Sequence, residues 1–516
     1  MTTITETSRI RHIGHRLGSA ITPSVFAALA VLSITCFALF VPPYIGMADN
    51  GDFFRSIYSN GLYFSNPDYD QLRFGFFVRQ YGIFQYYNEN ASMIFSSQAL
   101  FLKAAIVLNK LLFHPAVFDI RFQAILYTLL YTVGVFLLVE AVTWRVSRKR
   151  GFLIAGLAVF VFGDTAYTAY FNSFYGESVI LVAVLFMSAS WLLLYRRRYN
   201  DYAMLALFVV SALILTTSKQ QNAPVGLIVA VLGLALIWIR EQTRFRILAA
   251  CSLVVLFFSG IVTYMMISDE FVNVNQYHAM TRGVLMQTPD PDSALKSLGI
   301  DEQYAILKGT IHYEPYATVD VNSELLQKEF YSKYSFVSIL FYYIQHPDQL
   351  GSILQIAAKN AFTIRPGAMG NYELSAGKPF GAHTSFFSAY SFLKENAAPK
   401  TFGFIVLWAL VVVGLYAPTF VKAVMGRNMR LMQRMLVMVT MMLIGLAGIC
   451  VSIVGAGDAD LAKHEFLFTL AFDIVTFLTV ADIVGRRLFR EADEPAQHGP
   501  RIPHKGVTTF AAQKSM

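Results

Sequence analysis

Residues 21–55 read ITPSVFAALAVLSITCFALFVPPYIGMADNGDFFR. The first half is an apolar run of the length that crosses a bilayer as a helix, which takes about 20 residues. Pro42 and Pro43 stop that helix. The segment after them, Met47–Arg55, then places Asp49, Asn50, Asp52 and Arg55 just beyond a membrane surface. An apolar span followed by a compact polar cluster recurs along the chain, and that recurrence decides the fold class.

The whole composition agrees. Of 516 residues, 55% are hydrophobic and only 14% charged, with a mean hydropathy of +0.50. Soluble domains carry about 25% charged residues. The chain is therefore expected to be an all-α polytopic membrane protein. A window of about 20 residues gives roughly ten spans, at 21–43, 120–142, 152–170, 178–195, 202–217, 224–239, 247–267, 402–418, 435–455 and 465–485. No cleavable signal is expected at the start: the first apolar run is too long and no small-residue cleavage site follows it. Cys36, Cys251 and Cys450 all lie in apolar runs, so no disulfide framework is implied.

The net charge of +8 does not point to nucleic acid, because the cations sit in short loops between spans. Arg9, Arg11 and Arg16 precede the first span, and Arg145, Arg148, Lys149 and Arg150 follow the second. Arg196, Arg197 and Arg198 follow the fourth, Arg240, Arg244 and Arg246 the sixth, Lys422, Arg427, Arg430 and Arg434 the eighth, and Arg486, Arg487 and Arg490 the tenth. The opposite short loops hold only Lys219 and Lys463. The positive-inside rule then puts both termini in the cytoplasm. The expected organisation is a cytoplasmic start (1–20), a membrane core (21–267) with a first outer loop at 44–119, a long outer segment (268–401), a C-terminal membrane part (402–485) and a disordered cytoplasmic tail (486–516). Within the outer segments, Ser97–Phe113, with Lys103, Asn109 and Lys110, reads as an interfacial amphipathic helix. Phe336–Ile344, and the stretch from His346-Pro347 to Phe362, read the same way.

The polar clusters fall on that outer side. Asp49 and Asp52, three apart, share a face if a helix starts there. In a half-apolar setting either is a candidate general base; the plainer reading is a helix cap. Asp164 lies within an apolar run, where a charge costs on the order of 3 kcal/mol. Asn172, Tyr175 and Glu177 follow it, a set suited to sugar hydroxyls, although capping explains Glu177 and an aromatic belt explains most of the tyrosines. Lys219, with Gln220 and Asn222, is a candidate phosphate partner against simple snorkelling. Lys463 and His464 enter an apolar helix with Asp458 and Asp460 before them and Asp473 deeper in it. Arg55 and Arg365 are further cations on that side. No Walker loop, dinucleotide fingerprint or HExxH pair occurs. A donor used outside must be membrane-borne, and a lipid-phosphate sugar fits: tail among the spans, phosphate near Lys and His, sugar beside carboxylates.

Met47–Arg55 (MADNGDFFR), Phe171–Glu177 (FNSFYGE), Thr217–Asn222 (TSKQQN) and Gly457–Asp473 (GDADLAKHEFLFTLAFD) are similar to motifs of bacterial glycan-biosynthesis hexosyltransferases of the S-layer-glycan type, and the layout resembles the GT-C superfamily of integral-membrane glycosyltransferases. The resemblance implies a polyprenyl-phosphate-linked sugar donor, an acceptor glycan or glycolipid outside a bacterial cytoplasmic membrane, and an outer-loop aspartate as base. That role falls on Asp49 or Asp52, between which spacing does not choose. It implies no obligatory metal, although Asp49, Asp52 and Asp164 could converge on a divalent ion. The substrate-binding set is expected to be Arg55, Asp164, Asn172, Tyr175, Glu177, Lys219, Gln220, Asn222, Lys463 and His464. A lipid-linked glycan polymerase or ligase and a transporter or flippase are the competing classes; midplane broken helices and inverted repeats, the marks of a transporter, are not evident.

Overall fold

The computed structural model describes residues 21–90 and 95–488. Arg9, Arg11, Arg16, Arg490 and the tail beyond 488 lie outside the described residues. The first helix, α1 (Pro23–Phe40), starts where its sequence signals: Thr22 Oγ1 accepts from the Val25 amide at 3.3 Å, with proline at the first turn. It ends ahead of Pro42, with Val41 already extended.

The main helices that follow are α2 (Gln98–Leu112), α3 (Arg121–Thr143), α4 (Arg148–Phe162), α5 (Glu177–Arg196), α6 (Asp201–Thr216), α7 (Ala223–Leu232) and α8 (Thr243–Met265). The second long segment contributes α9 (Asp269–His278), α10 (Phe336–Gln345), α11 (Pro347–Asn360) and α12 (Ala389–Ala397). The chain closes with α13 (Phe402–Met425), α14 (Met429–Ala456) and α15 (Phe466–Val484).

Among the described residues, eight helices are long and apolar enough to cross a membrane: α1, α3, α5, the run Gln220–Trp238 that contains α7, α8, α13, α14 and α15. A ninth is α4 taken with Thr165–Asn172 as one span bent by 49°. All ten expected segments are helical, but two depart from a simple crossing. The bend is set by Asp164, whose carboxylate accepts from the Ala166 amide at 2.8 Å and starts a new helix at Thr165. At 16 residues, α6 reaches only about 24 Å at 1.5 Å per residue, short of the roughly 30 Å hydrocarbon core.

The bundle has a centre and a rim. Along α5, 94% of the apolar window is buried, against 28% for α8 and 22% for α13. Helix α5 packs against α3, α6 and α14, while α8 and α13 present bare apolar flanks for lipid. At one end the arginines are pinned to buried carboxylates. Asp482 holds Arg434 at 2.8 Å and Arg196 at 3.5 Å; Asp201 holds Arg240 at 2.6 Å and Arg430 at 3.2 Å. Glu140 joins Arg198 at 2.7 Å and the Ser24 hydroxyl at 2.7 Å. These cations, readable from sequence only as topology signals, also tie neighbouring helices together.

The opposite end carries the long segments. A three-stranded antiparallel sheet, absent from the sequence expectation, links β1 (Leu62–Tyr63), β2 (Gln80–Ile83) and β3 (Val117–Asp119), with Leu62 opposite Ile83 and Gln80 opposite Asp119. Helix α2 forms where expected, but its two sides are not split into apolar and polar: Leu102, Ala105 and Ile106 are buried with Gln98 and Asn109, while Leu100, Val107 and Leu111 are exposed beside Lys103 and Lys110. Helix α10 likewise leaves Val337, Leu340, Phe341 and Ile344 exposed. Residues 285–335, unreadable from sequence, form a lobe whose buried residues, including Leu285, Leu295, Tyr304, Leu307, Leu326 and Phe330, share one core with α10, α11 and residues of α13–α15 such as Ile405, Ile449 and Phe468. Helix α12 is held down twice: Asp164 accepts from the Ser391 amide at 2.8 Å and hydroxyl at 2.9 Å, and Lys394 inserts to meet Asp473 of α15 at 2.6 Å.

Candidate active site

A cavity of about 160 Å³ opens at the end that carries the sheet and the lobe. Four distant parts of the chain meet on its wall: Asp52 and Arg55, Tyr175–Glu177, Ser218–Gln221, and Lys463-His464. Gln98 and Leu102 of α2 and Phe271 and Asn275 of α9 complete it.

The two candidate bases separate here. Asp49 is buried and spent on the loop itself. Its Oδ1 accepts from the amides of Gly51, Asp52 and Phe53 at 2.8, 2.9 and 3.1 Å, and its Oδ2 accepts from the Tyr69 hydroxyl at 3.1 Å. Gly51, in the left-handed region, lets the chain double back over that carboxylate. Asp49 does not line the cavity; Asp52 does. Asp52 pairs with Arg55 at 2.6 Å and, through its other oxygen, with the Lys463 ammonium. Burial alone would raise the Asp52 carboxyl, but the charges of Lys463 and Arg55 outweigh it and hold it well below the usual range.

Lys463 is buried and sits in a nest of acceptors. Besides Asp52 it reaches Asn50 Oδ1 at 3.4 Å and Asp460 at 3.9 Å, and it lies 4.7 Å over the Tyr175 ring. Burial opposes its charge, yet Asp52, Asp460 and Glu177 together keep its pKa above the ordinary value. Tyr175 sets this nest: its hydroxyl donates to the Ala48 carbonyl at 2.8 Å and accepts from the Asn50 amide at 2.8 Å. Asn50 in turn donates to Asp460 at 3.1 Å.

The second cation, Lys219, pairs with Glu177 at 2.5 Å, and among the described residues the other Glu177 oxygen has no hydrogen-bond partner. His464 Nδ1 lies 2.9 Å from Gln221 Oε1, and Gln221 donates to the His464 carbonyl at 3.0 Å. Burial, with Lys219 and Lys463 beside it, pushes the His464 imidazole down to about 3, so it is neutral at physiological pH. Arg55 reaches across to the Tyr313 hydroxyl of the lobe at 2.8 Å and lies over the Phe271 ring at 4.7 Å.

Eight of the twelve expected site residues therefore line one cavity: Asp52, Arg55, Tyr175, Glu177, Lys219, Gln220, Lys463 and His464. Asp49, Asp164, Asn172 and Asn222 do not. Asn172 donates to the Ile45 carbonyl at 2.8 Å and the Leu39 carbonyl at 3.3 Å, fixing the chain as it leaves α1. Asn222 donates to the Ser218 hydroxyl at 2.9 Å inside its own loop. Asp164 is engaged with Ala166 and Ser391. The suggested convergence of Asp49, Asp52 and Asp164 on a divalent ion is not found: Asp49 and Asp164 are saturated by separate donors, and among the described residues no group of His, Cys, Asp or Glu is placed to hold a metal. Gln98, Phe271 and Asn275 were not foreseen. Gln98, a polar residue opening an apolar helix, was the one legible signal; its Nε2 donates to the Phe174 carbonyl at 2.6 Å.

No curated protein and no solved structure matches the chain. A family model does, over residues 7–500, and by that match the chain belongs to the family described as the YfdI N-terminal transmembrane domain, a family of membrane proteins.

Proposed function

We propose that this protein is an integral-membrane glycosyltransferase that moves a hexose from a polyprenyl-phosphate-linked donor to an acceptor glycan or glycolipid on the extracytoplasmic face of a bacterial membrane, in cell-envelope glycan synthesis. The observation that carries the reading is the pairing of a carboxylate, Asp52, with a buried ammonium, Lys463, on the wall of a cavity at the end of the bundle that carries the sheet and the lobe. A second cation, Lys219, lines the same cavity. The family, a membrane one, is compatible with it.

In this reading the donor phosphate lies against Lys463 and Lys219 and its sugar reaches toward Asp52. The acceptor hydroxyl oxygen forms a bond to the anomeric carbon, and the bond from that carbon to the phosphate oxygen breaks. The electron pair leaves with the polyprenyl phosphate, whose growing negative charge the two lysines stabilise. The hydroxyl proton passes to Asp52. Paired with Lys463, Asp52 is fully ionised but a weak base; a phosphate that draws the ammonium toward itself raises the basicity of Asp52 only when donor is in place. Neutral His464 and the free oxygen of Glu177 are left to hydrogen-bond sugar hydroxyls. No metal takes part in this reading.

The charge pattern favours this class over a transporter. At the arginine-rich end the buried carboxylates are closed in ion pairs, and the cavity with its ionisable wall lies at the other. The direct test is turnover of a synthetic polyprenyl-phosphate hexose by purified protein, together with envelope-glycan profiles of a deletion strain carrying the wild-type or the Asp52→Asn form. Unchanged glycans in the deletion strain, and no sugar release from the donor, would sink the proposal.

A further inference from the structure

Beside α12 lies a second cavity, of about 290 Å³, which shares no lining residue with the first. Its wall is Arg365, His383 and four hydroxyl side chains, Thr384, Ser385, Ser388 and Ser391. The exposed Phe392 and Glu395 also line it, so one carboxylate shares the wall with Arg365.

Arg365 is the unusual member. Its Nη1 donates to Asn371 Oδ1 at 2.6 Å and its Nη2 to the Thr384 carbonyl at 3.3 Å, both neutral acceptors. Among the described residues it makes no ion pair with a carboxylate. Asp164, whose oxygens are taken by Ala166 and Ser391, and Glu395 act on it only through space, and burial outweighs them and pulls the guanidinium below its ordinary pKa. A largely buried cation with neutral partners is an electrostatic debt that an anion in the cavity would settle. The planar fork of a guanidinium, ringed by hydroxyls, suits a phosphate oxygen pair.

The surroundings say which phosphate. Phe386 packs on Phe37 of α1 with ring centroids 5.0 Å apart, and Tyr390 on Phe160 of α4 at 5.6 Å. Phe37 is 55% exposed, and Phe392 and Leu393, next to the cavity, are 70% and 55% exposed. The rim thus continues the apolar flank of two spans, so a ligand there needs a phosphate at one end and hydrocarbon at the other. We propose that this cavity binds the phosphate headgroup of a membrane lipid, with Arg365 as the cation that receives it. The proposal holds whatever reaction the first cavity performs.

Thermal unfolding of the purified full chain in a neutral detergent tests it, with phosphatidylglycerol, phosphatidylcholine or inorganic phosphate added at matched concentration. Phosphatidylglycerol should raise the midpoint of the wild type by about 2–4 °C or more, and the zwitterionic lipid and the free ion by clearly less. Arg365→Gln should abolish that increment. Because Arg365 also holds Asn371 and Thr384, Ser385→Phe is the companion variant: it fills the mouth, leaves those bonds intact and should lose the increment with an unshifted baseline. Lys463→Ala, in the other cavity, should keep it. An equal increment from phosphatidylcholine, or an undiminished one in either Arg365→Gln or Ser385→Phe, overturns the site. An increment from inorganic phosphate as large as that from phosphatidylglycerol overturns the lipid assignment.

Discussion

Asp52 and Lys463 stand 411 positions apart in the chain, and their side chains form an ion pair on the cavity wall. One carries the negative charge that a proton acceptor needs, the other the positive charge that a phosphate leaving group needs. Each favours the charged form of the other, and in the proposed reaction the donor phosphate competes for the ammonium.

Asp49 and Asp52, alike in sequence, should differ in kind when changed to asparagine. Asp52→Asn keeps size and removes the charge, so the protein should fold and lose transfer by about 100-fold or more, the range of general-base catalysis. Asp49→Asn weakens a carboxylate that accepts three amides and a tyrosine hydroxyl, so its main effect should be a stability loss of about 1–3 kcal/mol. Turnover measured beside thermal unfolding separates the two. A stable Asp49→Asn protein without activity, next to an active Asp52→Asn protein, would reverse the assignment.

The cations make a graded series. Lys463→Ala and Lys219→Ala should each impair turnover of a polyprenyl-phosphate sugar, because leaving-group charge goes uncompensated in a partly desolvated cavity. Lys463→Arg keeps the charge and should be milder, though not silent, because the nest of Asp52, Asn50 and Asp460 is shaped around an ammonium. Lys103 and Lys110 lie on α2 outside the cavity wall and serve as controls. Equal loss at the controls would mean that surface charge in general matters.

Stability should fall on mild acidification. Burial pushes His464 down to about 3, and burial with His312 and Arg282 nearby pushes His278 down to about 4. An unfolded histidine titrates near 6.5. Between about 6.5 and 4 the unfolded chain binds protons that the folded chain refuses, so unfolding becomes easier as pH falls through that window and is insensitive to these groups above it. His464→Gln removes one such group and should make the fall of the unfolding midpoint from pH 7 to pH 5 less steep. Identical slopes in the two proteins would show that folding does not lower the pKa of His464.

Much of this architecture was legible because bilayer thickness dictates apolar length: the runs at 21–43, 178–195, 247–267 and 402–418 carry no charged residue. Helix α2 was legible as an apolar stretch too short and too polar to span, and the gathering of Lys219, Lys463 and His464 from which connecting loops avoid arginine. What stayed hidden depends on contacts that spacing does not encode. Asp49 and Asp52 differ only in where the loop turns at Gly51 and where Tyr69 lands. Asn172 and Asn222 look like sugar-binding amides but satisfy backbone and loop groups instead. Strand β1 spans only Leu62–Tyr63, too short for an alternation to register. The lobe at 285–335 is built from short helices whose apolar residues meet only in three dimensions.

Membrane orientation can be read with an impermeant thiol reagent on intact cells. Cysteine at Ser59, beside the cavity, or at Tyr316, 96% exposed on the lobe, should react from outside. Cysteine at the exposed Ser147, at the arginine-rich end, should react only after permeabilisation. Ser173, attractive from sequence as a loop position, is fully buried and unsuited to the assay. Labelling of Ser147→Cys from outside would invert the molecule and place the cavity in the cytoplasm, removing the ground for a membrane-borne donor.

The pair Lys394–Asp473 makes the sharpest stability prediction. Both side chains are almost wholly buried, and the pair is the link by which α12, from the long segment, is fastened into the span α15. Tyr167 also donates to Asp473, and Lys394 donates to the Thr469 carbonyl at 3.1 Å. Removing one partner strands the other charge in an apolar setting, so Lys394→Met should destabilise by about 3–5 kcal/mol. Replacing both, Lys394→Met with Asp473→Leu, leaves no stranded charge and should recover a large part of that loss, although the Tyr167 hydroxyl then lacks its acceptor. A double-mutant cycle on the unfolding midpoint decides the matter. If the double variant is no more stable than Lys394→Met alone, the pair is not what fastens α12, and the Asp164–Ser391 contact carries that task.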